Sequence, residues 1–399
     1  MKLIDNIPVF GELGSADTLA QIKSCGEKAE AVALMADNHL GYSMPIGGVA
    51  AYDGLVSPSG VGYDIACGNK AVLLDVNYLD VLTNIKYIMD EVVKHVSFGV
   101  GRRNNEVVDH ALFDSDAWAL KPCKENKDKA RQQLGTVGSG NHYVDIFVDE
   151  QKRIWVGVHF GSRGLGHNIA AFYLKAAGGT DGLMVPPTLI DVNSSLGADY
   201  LAAMELAGQY AYAGRDWVCQ RVAKIMGAEI LDEVHNHHNF TWKENHNGKD
   251  LYVVRKGATP AFPGQRGFVG GSMGEASVIL EGVDHPEAKF SLSSTVHGAG
   301  RVMGRREAAG KTKWAKDEAT GQKVLKTIRE GKVTRAMMNE IVDNAGVELR
   351  GAGCDESPQC YKRLLDVLAA HANTIKILHT LTPMGVAMAG SDEFDPYKD

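Results

Sequence analysis

Alternating and continuous runs of apolar residues predict β-strands at several places along the chain. The clearest strand patterns are KAVLLDV from Lys70, YVDIFVD from Tyr143, RIWVGVHF from Arg153 and DLYVVRK from Asp250. Helical spacing of apolar residues predicts a long helix between Asp199 and Gly227, and further helices are expected near Asp80–Val96 and Tyr361–Leu378. Because strands and helices are mixed along the chain, the pattern predicts an α+β fold with a β-sheet core, flanking helices and glycine-rich loops.

Two polar, glycine-bearing segments, Arg102–Asn126 and Ala309–Gln322, are predicted to be surface excursions. Neither resembles a linker between independent domains. The segments with candidate chemistry run from Asp64 to Gly300, so a site built from all of them requires one folded unit. We therefore expect residues 1–399 to form a single catalytic domain.

Charge and cysteine content restrict the possible partners and the cellular compartment of the protein. The 399 residues include 42 Lys and Arg against 49 Asp and Glu, a net charge of −7. No overall basic field therefore indicates a nucleic acid partner, although a local basic groove is compatible with an acidic protein. No apolar stretch is long enough for a transmembrane helix or a signal peptide. Six scattered cysteines without a CxxC pair are typical of free thiols, and we expect a cytoplasmic monomer.

Glycine is frequent, at 45 residues, and many glycines are clustered beside polar residues. The clusters are GTVGSGN, FGSRGLG, FVGGSMG and HGAGR. Some of them are ordinary tight turns. Four such clusters nevertheless indicate loops whose backbone lies close to a ligand.

The motif GVGYDIACGN places a carboxylate and a thiol, Asp64 and Cys67, in a glycine-flanked turn. A spacing of three residues in such a turn can direct both groups to the same side. The alternative is that Cys67 is a buried small apolar residue, which is the commoner role of a free cysteine.

Two histidines flank predicted strands. His142 precedes the strand that buries Val144 and Ile146, so the alternation places His142 on the same face, where a histidine is more often a packed residue than a ligand. His159 lies near the end of another strand, before a glycine turn that carries Arg163. Strand ends that open onto glycine loops are common places for binding sites.

The segment DEVHNHHNF contains three histidines within four positions. His237 and His238 point in opposite directions if the segment is extended, so only one of them is expected to face a shared centre. For His235 the preferred interpretation is an exposed histidine-rich turn.

Together these residues predict a metal site. The candidate ligands are Asp64, Cys67, His142, His159 and one of His237 and His238. Imidazole, thiolate and carboxylate ligands favour manganese, zinc or iron over magnesium or calcium. Five ligands exceed what one catalytic metal needs, whereas two metals bridged by the thiolate would use them all, an arrangement typical of phosphoryl chemistry.

The stretch SSTVHGAGRVMGR adds a sixth polar group, His297, before Gly298 and Gly300, whose backbone amides can bind an anion. Arg301 and Arg305 follow with guanidinium donors for phosphate. A neutral imidazole is a competent nucleophile toward phosphorus. The alternatives for His297 are a metal ligand, a general base or a structural residue in a turn.

These motifs, in this order, resemble the RtcB family of RNA-splicing ligases. The resemblance extends over nearly the whole chain, through MADNHLGYSMPIGG, GVGYDIACG, GTVGSGNH, VHFGSRGLG, HHNF, RKGA, PGQRGFVGGSMG, HGAGRVMGR, DESPQCYK and LTPMGVAMAG. So many motifs in a fixed order make the resemblance specific. It implies a GTP- and manganese-dependent RNA ligase.

The resemblance implies a role for each site residue. Asp64, Cys67 and His142 would hold one Mn²⁺, and Cys67 would bridge to a second Mn²⁺ completed by His159 and His238. His297 would attack the α-phosphorus of GTP and form a covalent histidine–GMP. The guanylate would then pass to an RNA 3′-phosphate, made by opening a 2′,3′-cyclic phosphate, and a 5′-hydroxyl would displace GMP and seal the strand.

The resemblance also implies nucleotide and RNA contacts. Arg163 and Arg301 would contact phosphates or RNA, and Tyr361 would stack near the base. The remaining nucleotide contacts would be Asn141, His142, Asp145, His238, Asn239, Gly270, Gly271, Ser272, Met273, Ser277, His297, Gly298, Ala299 and Gly300. Whether an archease-type activator takes part is left open.

The chain departs from the family pattern at three places. Ala389 stands where the family usually has a lysine near its last glycine, and Asp145 stands where it usually has a glutamate. MADNHLGYS also lacks a proline and a lysine of the usual early motif. These departures bear on nucleotide selectivity and substrate range, and they are compatible with repair of damaged RNA as well as tRNA splicing.

Two other classes of function compete with the ligase hypothesis. Loss of the usual lysine favours a metal-dependent phosphohydrolase or cyclic phosphodiesterase that no longer seals, whereas the intact HGAGR motif argues against it. A non-catalytic RNA- or nucleotide-binding protein is disfavoured by six intact polar site residues.

Overall fold

The computed structural model describes residues 1–316 and 323–390. The α-helices in this part of the chain are α1 (Ala16–Gly26), α2 (Pro58–Val61), α3 (Tyr78–His95), α4 (Lys121–Lys124), α5 (Lys127–Gln133), α6 (Arg163–Ala176), α7 (Ser195–Ile225), α8 (Arg305–Ala309), α9 (Arg335–Asn344) and α10 (Leu364–Ala369). Short 3₁₀ helices are found at Ala111–Asp114, Asp116–Ala119, Pro286–Lys289, Cys354–Glu356 and Pro358–Cys360.

The strands of the first half are β1 (Lys2–Ile4), β2 (Ile7–Val9), β3 (Ala31–His39), β4 (Ile46–Tyr52), β5 (Leu55–Val56), β6 (Gly68–Leu74), β7 (Tyr143–Asp149), β8 (Ile154–Phe160) and β9 (Ile190–Asp191). Those of the second half are β10 (Ile230–His237), β11 (Asn239–His246), β12 (Lys249–Lys256), β13 (Ala258–Pro260), β14 (Arg266–Val269), β15 (Ser277–Gly282), β16 (Ser294–Val296), β17 (Lys311–Lys316), β18 (Lys323–Arg329), β19 (Glu348–Ala352) and β20 (Ile375–Gly390). Helices and strands are mixed, which confirms the α+β class.

The largest sheet is nearly closed on itself. Its eight strands run β10-β6-β8-β7-β20-β15-β14, and β19 pairs with β20. The two edge strands β14 and β10 meet, because the Asn236 side chain accepts a hydrogen bond from the Phe268 backbone N–H at 3.1 Å. Asn69 on β6 donates to the Phe268 carbonyl at 2.9 Å and strengthens this closure.

Alternation along the strands of this sheet separates an inner from an outer face. On β6, Ala71 and Leu73 join an apolar cluster with Trp155 and Phe268, whereas Val72 and Leu74 belong to a cluster that includes residues of α3 and α7. Two long helices therefore cover the outer face of the sheet. The Ser194 hydroxyl caps α7 by accepting from Gly197 N–H at 3.0 Å, a contact typically contributing about 1 kcal/mol.

A second sheet, in the order β1-β2-β3-β4-β12-β11, packs against the end of the first. One apolar cluster contains Met35 and Val49 from this sheet together with Val278 and Leu280 from β15. All four residues are fully buried. This packing brings the polar end of β3 close to the first sheet.

The register of the first sheet brings four chain segments to one edge. Gly68 at the start of β6 pairs with Phe160 at the end of β8 and with His237 at the end of β10. Tyr143 at the start of β7 pairs with His159. Because neighbouring strands are antiparallel, the start of one strand lies beside the end of the next. The segments that precede β6 and β7 and those that follow β8 and β10 therefore meet at the same edge of the sheet.

Most of the predicted elements are confirmed. The four strand patterns correspond to β6, β7, β8 and β12, and two of the helix patterns correspond to α3 and α7. The structure describes no helix that is long and apolar enough to span a membrane within residues 1–316 and 323–390. The single-domain organisation over residues 1–399 stays a prediction.

Three predictions on local structure need correction. The helix expected over Tyr361–Leu378 is limited to α10, because Ile375 begins β20, where β-branched residues pair with β15. The excursion Arg102–Asn126 is not purely a surface segment, since its short helices bury Phe113 and Trp118. In the excursion Ala309–Gln322, Lys311–Lys316 forms a strand, and residues 317–322 lie outside the described residues.

Candidate active site

Four of the predicted metal ligands meet at the sheet edge where the strand ends converge. The Cys67 Sγ lies 3.6 Å from the Nε2 atoms of both His142 and His159. His142 Nε2 also lies 3.0 Å from an Asp64 carboxylate oxygen. Cys67, His142 and His159 can place their ligand atoms within 4.8 Å of one another, as a metal ion requires. The thiol is therefore the central group of this cluster.

His238 lies on the other side of His159, and the ring centroids of the two residues are 5.1 Å apart. The His238 backbone N–H donates to the Cys67 carbonyl at 2.8 Å, which fixes it beside the thiol. His237 points the opposite way, toward Arg215. The prediction that an extended segment sends only one of this pair into the site is confirmed.

Neighbouring polar groups orient the ligand atoms. His159 Nδ1 lies 2.6 Å from the Asn69 side-chain oxygen, so Nδ1 carries the proton and Nε2 presents a lone pair toward Cys67. Burial lowers the pKa of both His159 and His238 well below the ordinary value, and these imidazoles are neutral. Burial, followed by the Asp64 charge, raises the pKa of the Cys67 thiol well above its ordinary value. Metal binding at this cluster must therefore displace a proton from sulfur.

His297 is held by a buried carboxylate on the second sheet. Its Nδ1 lies 2.6 Å from an Asp37 carboxylate oxygen, and the same oxygen accepts the His297 backbone N–H at 3.0 Å. Burial would raise the pKa of Asp37, but the contacts with His297 outweigh it and the pKa lies below its ordinary value. Because Asp37 occupies Nδ1, the free ring atom is Nε2. The His297 ring lies beside His238, with centroids 4.8 Å apart.

Two glycine loops cross above these histidines. Gly270 and Gly298 form an isolated parallel bridge between the FVGGSMG and HGAGR segments. Gly300 has a φ of +78°, and a Cβ there would collide with the backbone of Asp37. Only glycine fits this close approach. The turn therefore depends on glycine to bring His297 onto its carboxylate partner.

A cavity connects the histidines with the glycine loops. Most residues predicted to contact the nucleotide line it, namely Asn141, Asp145, His238, Asn239, Gly270, Gly271, Ser272, Met273, His297, Gly298, Ala299, Gly300 and Tyr361. Two do not. Ser277 lies beneath the glycine loop and accepts from the Gly271 backbone N–H at 2.9 Å. His142 contacts the ligand cluster but does not line the cavity.

The floor of the cavity, formed by β7 and β20, is apolar except for two groups. It adjoins the ligand cluster, because the Tyr143 ring stacks on the His159 ring with centroids 5.5 Å apart. Tyr143 and Asp145 on β7 pair with Met388 and Val386 on β20, and all four side chains line the cavity. The Tyr143 hydroxyl and one Asp145 carboxyl oxygen are buried without a hydrogen-bond partner in the described structure. Burial raises the pKa of Asp145 well above its ordinary value. This floor therefore offers hydrogen-bonding groups for the polar edge of a flat ring.

Arginines at the cavity rim are tied to acidic neighbours. Arg301 lines the cavity and donates to the Tyr361 hydroxyl at 2.7 Å and to the Asp355 carbonyl at 2.7 Å. Arg305, also at the rim, forms an ion pair with Glu356. Arg163, in contrast, does not line the cavity. It packs against Gly138. Burial would raise the pKa of Asp64, but the contacts with His142 and Cys67, together with the smaller effect of the Arg163 charge, lower it.

A fully buried cation supports the ligand cluster from behind. Arg215 on α7 donates to the carbonyls of Ala66 and Phe160, at 3.0 and 2.5 Å. These carbonyls belong to the residues next to Cys67 and His159. The same guanidinium contacts the His235 and His237 rings at 2.8 and 2.9 Å, and no ion pair with a carboxylate is found for it among the described residues. One side chain thus fixes the backbone on both sides of the thiol–imidazole contact.

Two sequence interpretations are wrong in detail. His235 is not in an exposed turn, because it lies on β10 and its Nε2 accepts from the Arg215 guanidinium. His142 lies in the loop before β7, so the alternation that buries Val144 and Ile146 does not apply to it.

Several functional neighbours were not singled out from the sequence. Asp37 and Glu356 lie within quoted motifs, MADNHLGYS and DESPQCYK, but nothing in their spacing connects them to His297 or Arg305. Asn69 and Arg215 have no sequence signal, because each acts through contacts between distant segments.

The site combines a cysteine–histidine–carboxylate cluster with an oriented histidine under glycine loops. This combination of groups is typical of metal-dependent enzymes that act on phosphates. Comparison with known proteins agrees. The sequence profile described as "tRNA-splicing ligase RtcB" matches residues 18–122 and 117–389. The chain belongs to the RtcB family, a family of RNA ligases.

Individual relatives show the same likeness along most of their length. The chain is 32% identical to the tRNA-splicing ligase RtcB of Archaeoglobus fulgidus, covering 89% of this chain and 86% of the relative. It is also 32% identical to that of Thermococcus kodakarensis, with the same coverage. Its identity to the RNA-splicing ligase RtcB of Escherichia coli K12 is 28%, covering 88% of both chains.

The buried carboxyl in the cavity floor should carry a cost in stability. Because the pKa of Asp145 is raised in the folded state, the folded protein resists ionisation of this carboxyl group. The resulting loss in the free energy of unfolding is absent below the pKa of the unfolded chain, about 4, and grows as the pH rises above that value. We therefore expect Asp145→Asn to raise the melting temperature, and to raise it more at pH 8 than at pH 5. Thermal unfolding at the two pH values measures this difference.

Asp149→Asn on the same strand is the matched control. The Asp149 carboxylate accepts from Arg153 and Trp155 and has a lowered pKa, because these hydrogen bonds outweigh its burial. This substitution should lower stability at pH 8 by about 1–3 kcal/mol. A fall in melting temperature for both variants would contradict the assignment of Asp145.

Arg215→Lys should weaken metal binding. Lysine cannot reach two carbonyls and two imidazoles at once, so the backbone beside Cys67 and His159 loses its support. We expect Mn²⁺ affinity to fall by about tenfold or more, measured by calorimetric titration of the folded protein.

Arg255→Lys provides the comparison. Arg255 is also fully buried, but Glu244 neutralises it in a two-bond pair, and its other contacts are with Leu292 and Ser294 rather than with the backbone beside Cys67 and His159. Both substitutions should reduce thermal stability, whereas only Arg215→Lys should reduce Mn²⁺ affinity. Equal Mn²⁺ affinities for the two variants would refute the positioning role.

Proposed function

We propose that the protein seals RNA breaks by using GTP and two Mn²⁺ ions per chain. The substrate ends are a 2′,3′-cyclic phosphate or 3′-phosphate and a 5′-hydroxyl. The observation that carries the proposal is His297, whose Nδ1 is occupied by Asp37 while its ring lies beside His238. Such a ring is oriented to attack a phosphorus atom through Nε2.

The ligand cluster suits two borderline divalent ions. Asp64, Cys67 and His142 would hold the first ion, and Cys67, His159 and His238 the second. His142 presents Nε2 to Cys67 and Asp64. His238 has a buried Nδ1 without a hydrogen-bond partner in the described structure, and a metal is one partner that would satisfy such an atom. When bound, the two ions would neutralise phosphate charge and make the phosphorus more electrophilic.

We place the nucleotide in the cavity in one orientation. Its phosphates would lie at the metal cluster and under the backbone amides of Gly270–Met273 and Gly298–Gly300, which suit an anion. The base would then reach the floor, where Asp145 offers a carboxyl group and Tyr361 an aromatic ring. Asn141 and Asn239 line the part between the two ends, and Ser277 acts by holding the Gly271 loop.

The first step joins the nucleotide to the protein. Asp37 keeps the proton on Nδ1, so the lone pair of His297 Nε2 attacks the α-phosphorus of GTP. The new P–N bond forms as the P–O bond to pyrophosphate breaks. Asp37 stabilises the positive charge that develops on the ring.

The later steps transfer the guanylate and join the strands. An oxygen of the RNA 3′-phosphate attacks the phosphorus of histidine–GMP, and His297 leaves as a neutral imidazole. The product is RNA with a 3′-terminal pyrophosphate linkage to guanosine. The 5′-hydroxyl then attacks the RNA phosphorus, loses its proton and displaces GMP. Arg163 and Arg301 would contact RNA phosphates during these steps.

Residue 389, where the family usually has a lysine and this chain has Ala389, would affect the choice of nucleotide rather than the steps described above. Ala389 is buried in β20, next to Met388 of the cavity floor, so it contributes no cation there. This is the feature that favours a phosphohydrolase or cyclic phosphodiesterase without sealing. The oriented His297 favours ligation, because hydrolysis does not need a histidine nucleophile.

One assay separates the candidate functions. Protein is mixed with α-labelled GTP, Mn²⁺ and an RNA that carries a 3′-phosphate and a 5′-hydroxyl, and both labelled protein and joined RNA are measured. A ligase gives both products. A phosphohydrolase gives neither but removes the 3′-phosphate of the RNA, which is measured in the same mixture, whereas a binding protein leaves all components unchanged. Asp37→Asn should reduce labelling by about a hundredfold or more, because the wrong His297 tautomer is then favoured.

Metal counting tests the bridging thiolate. Cys67→Ala should lose both Mn²⁺ ions, because one sulfur supports both positions. His159→Ala should keep partial occupancy at the position formed by Asp64, Cys67 and His142. Two Mn²⁺ ions per chain in Cys67→Ala protein, measured by elemental analysis after dialysis, would contradict the bridged arrangement.

A further inference from the structure

The hairpin of β17 and β18 is a separate two-stranded ribbon. Its strands pair with each other, and no other strand in the described part of the chain joins them. We call residues 311–316 and 323–329 the basic ribbon. Two-stranded ribbons are marginally stable on their own, and additional contacts are usually needed to maintain them.

The register of the basic ribbon opposes cations to cations. Lys311 pairs with Arg329, Lys313 with Lys326 and Lys316 with Lys323. Residues that face each other across antiparallel strands are close neighbours, with Cα atoms about 4.5–5.5 Å apart. Like charges in such positions destabilise the pairing. Three of the six registered pairs therefore oppose like charges, a cost that the ribbon carries as long as no anion lies against it.

The sequence around the ribbon is also rich in positive charge. Ten Lys and Arg but only four Asp and Glu occur between Arg305 and Arg335, in a chain whose net charge is −7. Lys311, Lys316 and Arg329 are exposed, and none of them forms an ion pair with a carboxylate within the described residues. The positive charge is thus concentrated and open to solvent.

The base of the ribbon is fixed at the cavity rim. Arg305, at the start of α8, lines the cavity, and only Gly310 separates the end of α8 from the start of β17. The returning chain is tied to the same helix, since Lys332 N–H donates to the Glu307 carbonyl and Val333 N–H to the Ala308 carbonyl, both at 3.0 Å. The ribbon therefore starts where a substrate would leave the cavity.

We propose that the basic ribbon binds the sugar–phosphate backbone of the RNA whose ends react in the cavity. The proposal rests on the function proposed above, because it takes RNA as the substrate. Phosphates along a strand supply regularly spaced anions, which would neutralise opposed lysines and release counterions. Such contacts do not read sequence, so the ribbon would strengthen binding of any RNA that is long enough to extend past the rim.

Removing one cation from each opposed pair tests the ribbon. The variant Lys311→Thr/Lys313→Thr/Lys316→Thr keeps residues that favour strands. RNA affinity is measured by fluorescence anisotropy over a series of KCl concentrations. The variant should bind RNA about tenfold more weakly or worse near 0.1 M salt, and the slope of log affinity against log salt should fall by about 2 to 3, because three phosphate contacts are lost.

A matched variant controls for net charge. Lys2→Thr/Lys243→Thr/Lys249→Thr also removes three cations, each of which is on the second sheet and near a carboxylate. Its salt slope should equal that of the wild type. Both triple variants should take label from α-labelled GTP as the wild type does, since the residues of the cavity are unchanged. The complementary variant Lys323→Thr/Lys326→Thr/Arg329→Thr should reproduce the loss of RNA affinity.

The outcomes distinguish this proposal from the proposed function. Unchanged RNA affinity and salt slope in both ribbon variants would overturn the ribbon proposal while leaving guanylylation and sealing intact. Polyglutamate bound by the wild type as tightly as RNA, and lost in the ribbon variants, would also overturn it in favour of an acidic protein partner. Loss of RNA binding in the ribbon variants, together with a wild-type protein that takes no label from GTP, would support the ribbon and refute the ligase.

Discussion

The hydrogen bond between His297 Nδ1 and the Asp37 carboxylate is the contact on which the proposed chemistry depends. It is short, at 2.6 Å, and Asp37 is fully buried, so the carboxylate has little freedom to turn away. The bond fixes the proton on one ring nitrogen and directs the other toward the cavity. It also joins the second sheet to the short β13–β16 ribbon, because Asp37 lies near the end of β3 and His297 follows β16. The packing that brings the sheets together, with a glycine at position 300, is therefore a condition for an oriented nucleophile.

The ligand cluster depends on a different constraint, the register of the nearly closed sheet. Antiparallel pairing places the start of β6 beside the ends of β8 and β10, so Cys67, His159 and His238 meet without any sequence proximity. Arg215 then holds the backbone on both sides of the contact. A buried guanidinium without a carboxylate partner is costly unless hydrogen bonds satisfy it. Here two carbonyls and two imidazoles do so, which couples the long helix α7 to the geometry of the cluster.

The sequence was sufficient for the parts of the structure that depend on local pattern or on motifs. Alternation located the strands β6, β7, β8 and β12, and the motif order indicated which histidines share a site. Hydrogen bonds between side chains of distant segments could not be predicted from the sequence. Asp37 is 260 residues from His297, and no periodicity connects them. The predicted helix ran on to Leu378, into the first residues of β20, because the pairing of these residues with β15, rather than their composition, decides their conformation.

The position of the guanylate on the His297 ring tests the account most directly. Protein labelled with ¹⁵N at histidine is reacted with GTP and Mn²⁺, and the coupling between ¹⁵N and ³¹P is measured by NMR in the denatured, base-treated product, where a phosphoramidate survives. We expect a P–N bond to Nε2 of His297, because Asp37 occupies Nδ1, and no adduct in His297→Ala protein. An adduct on Nδ1, or on any residue other than His297, would contradict it.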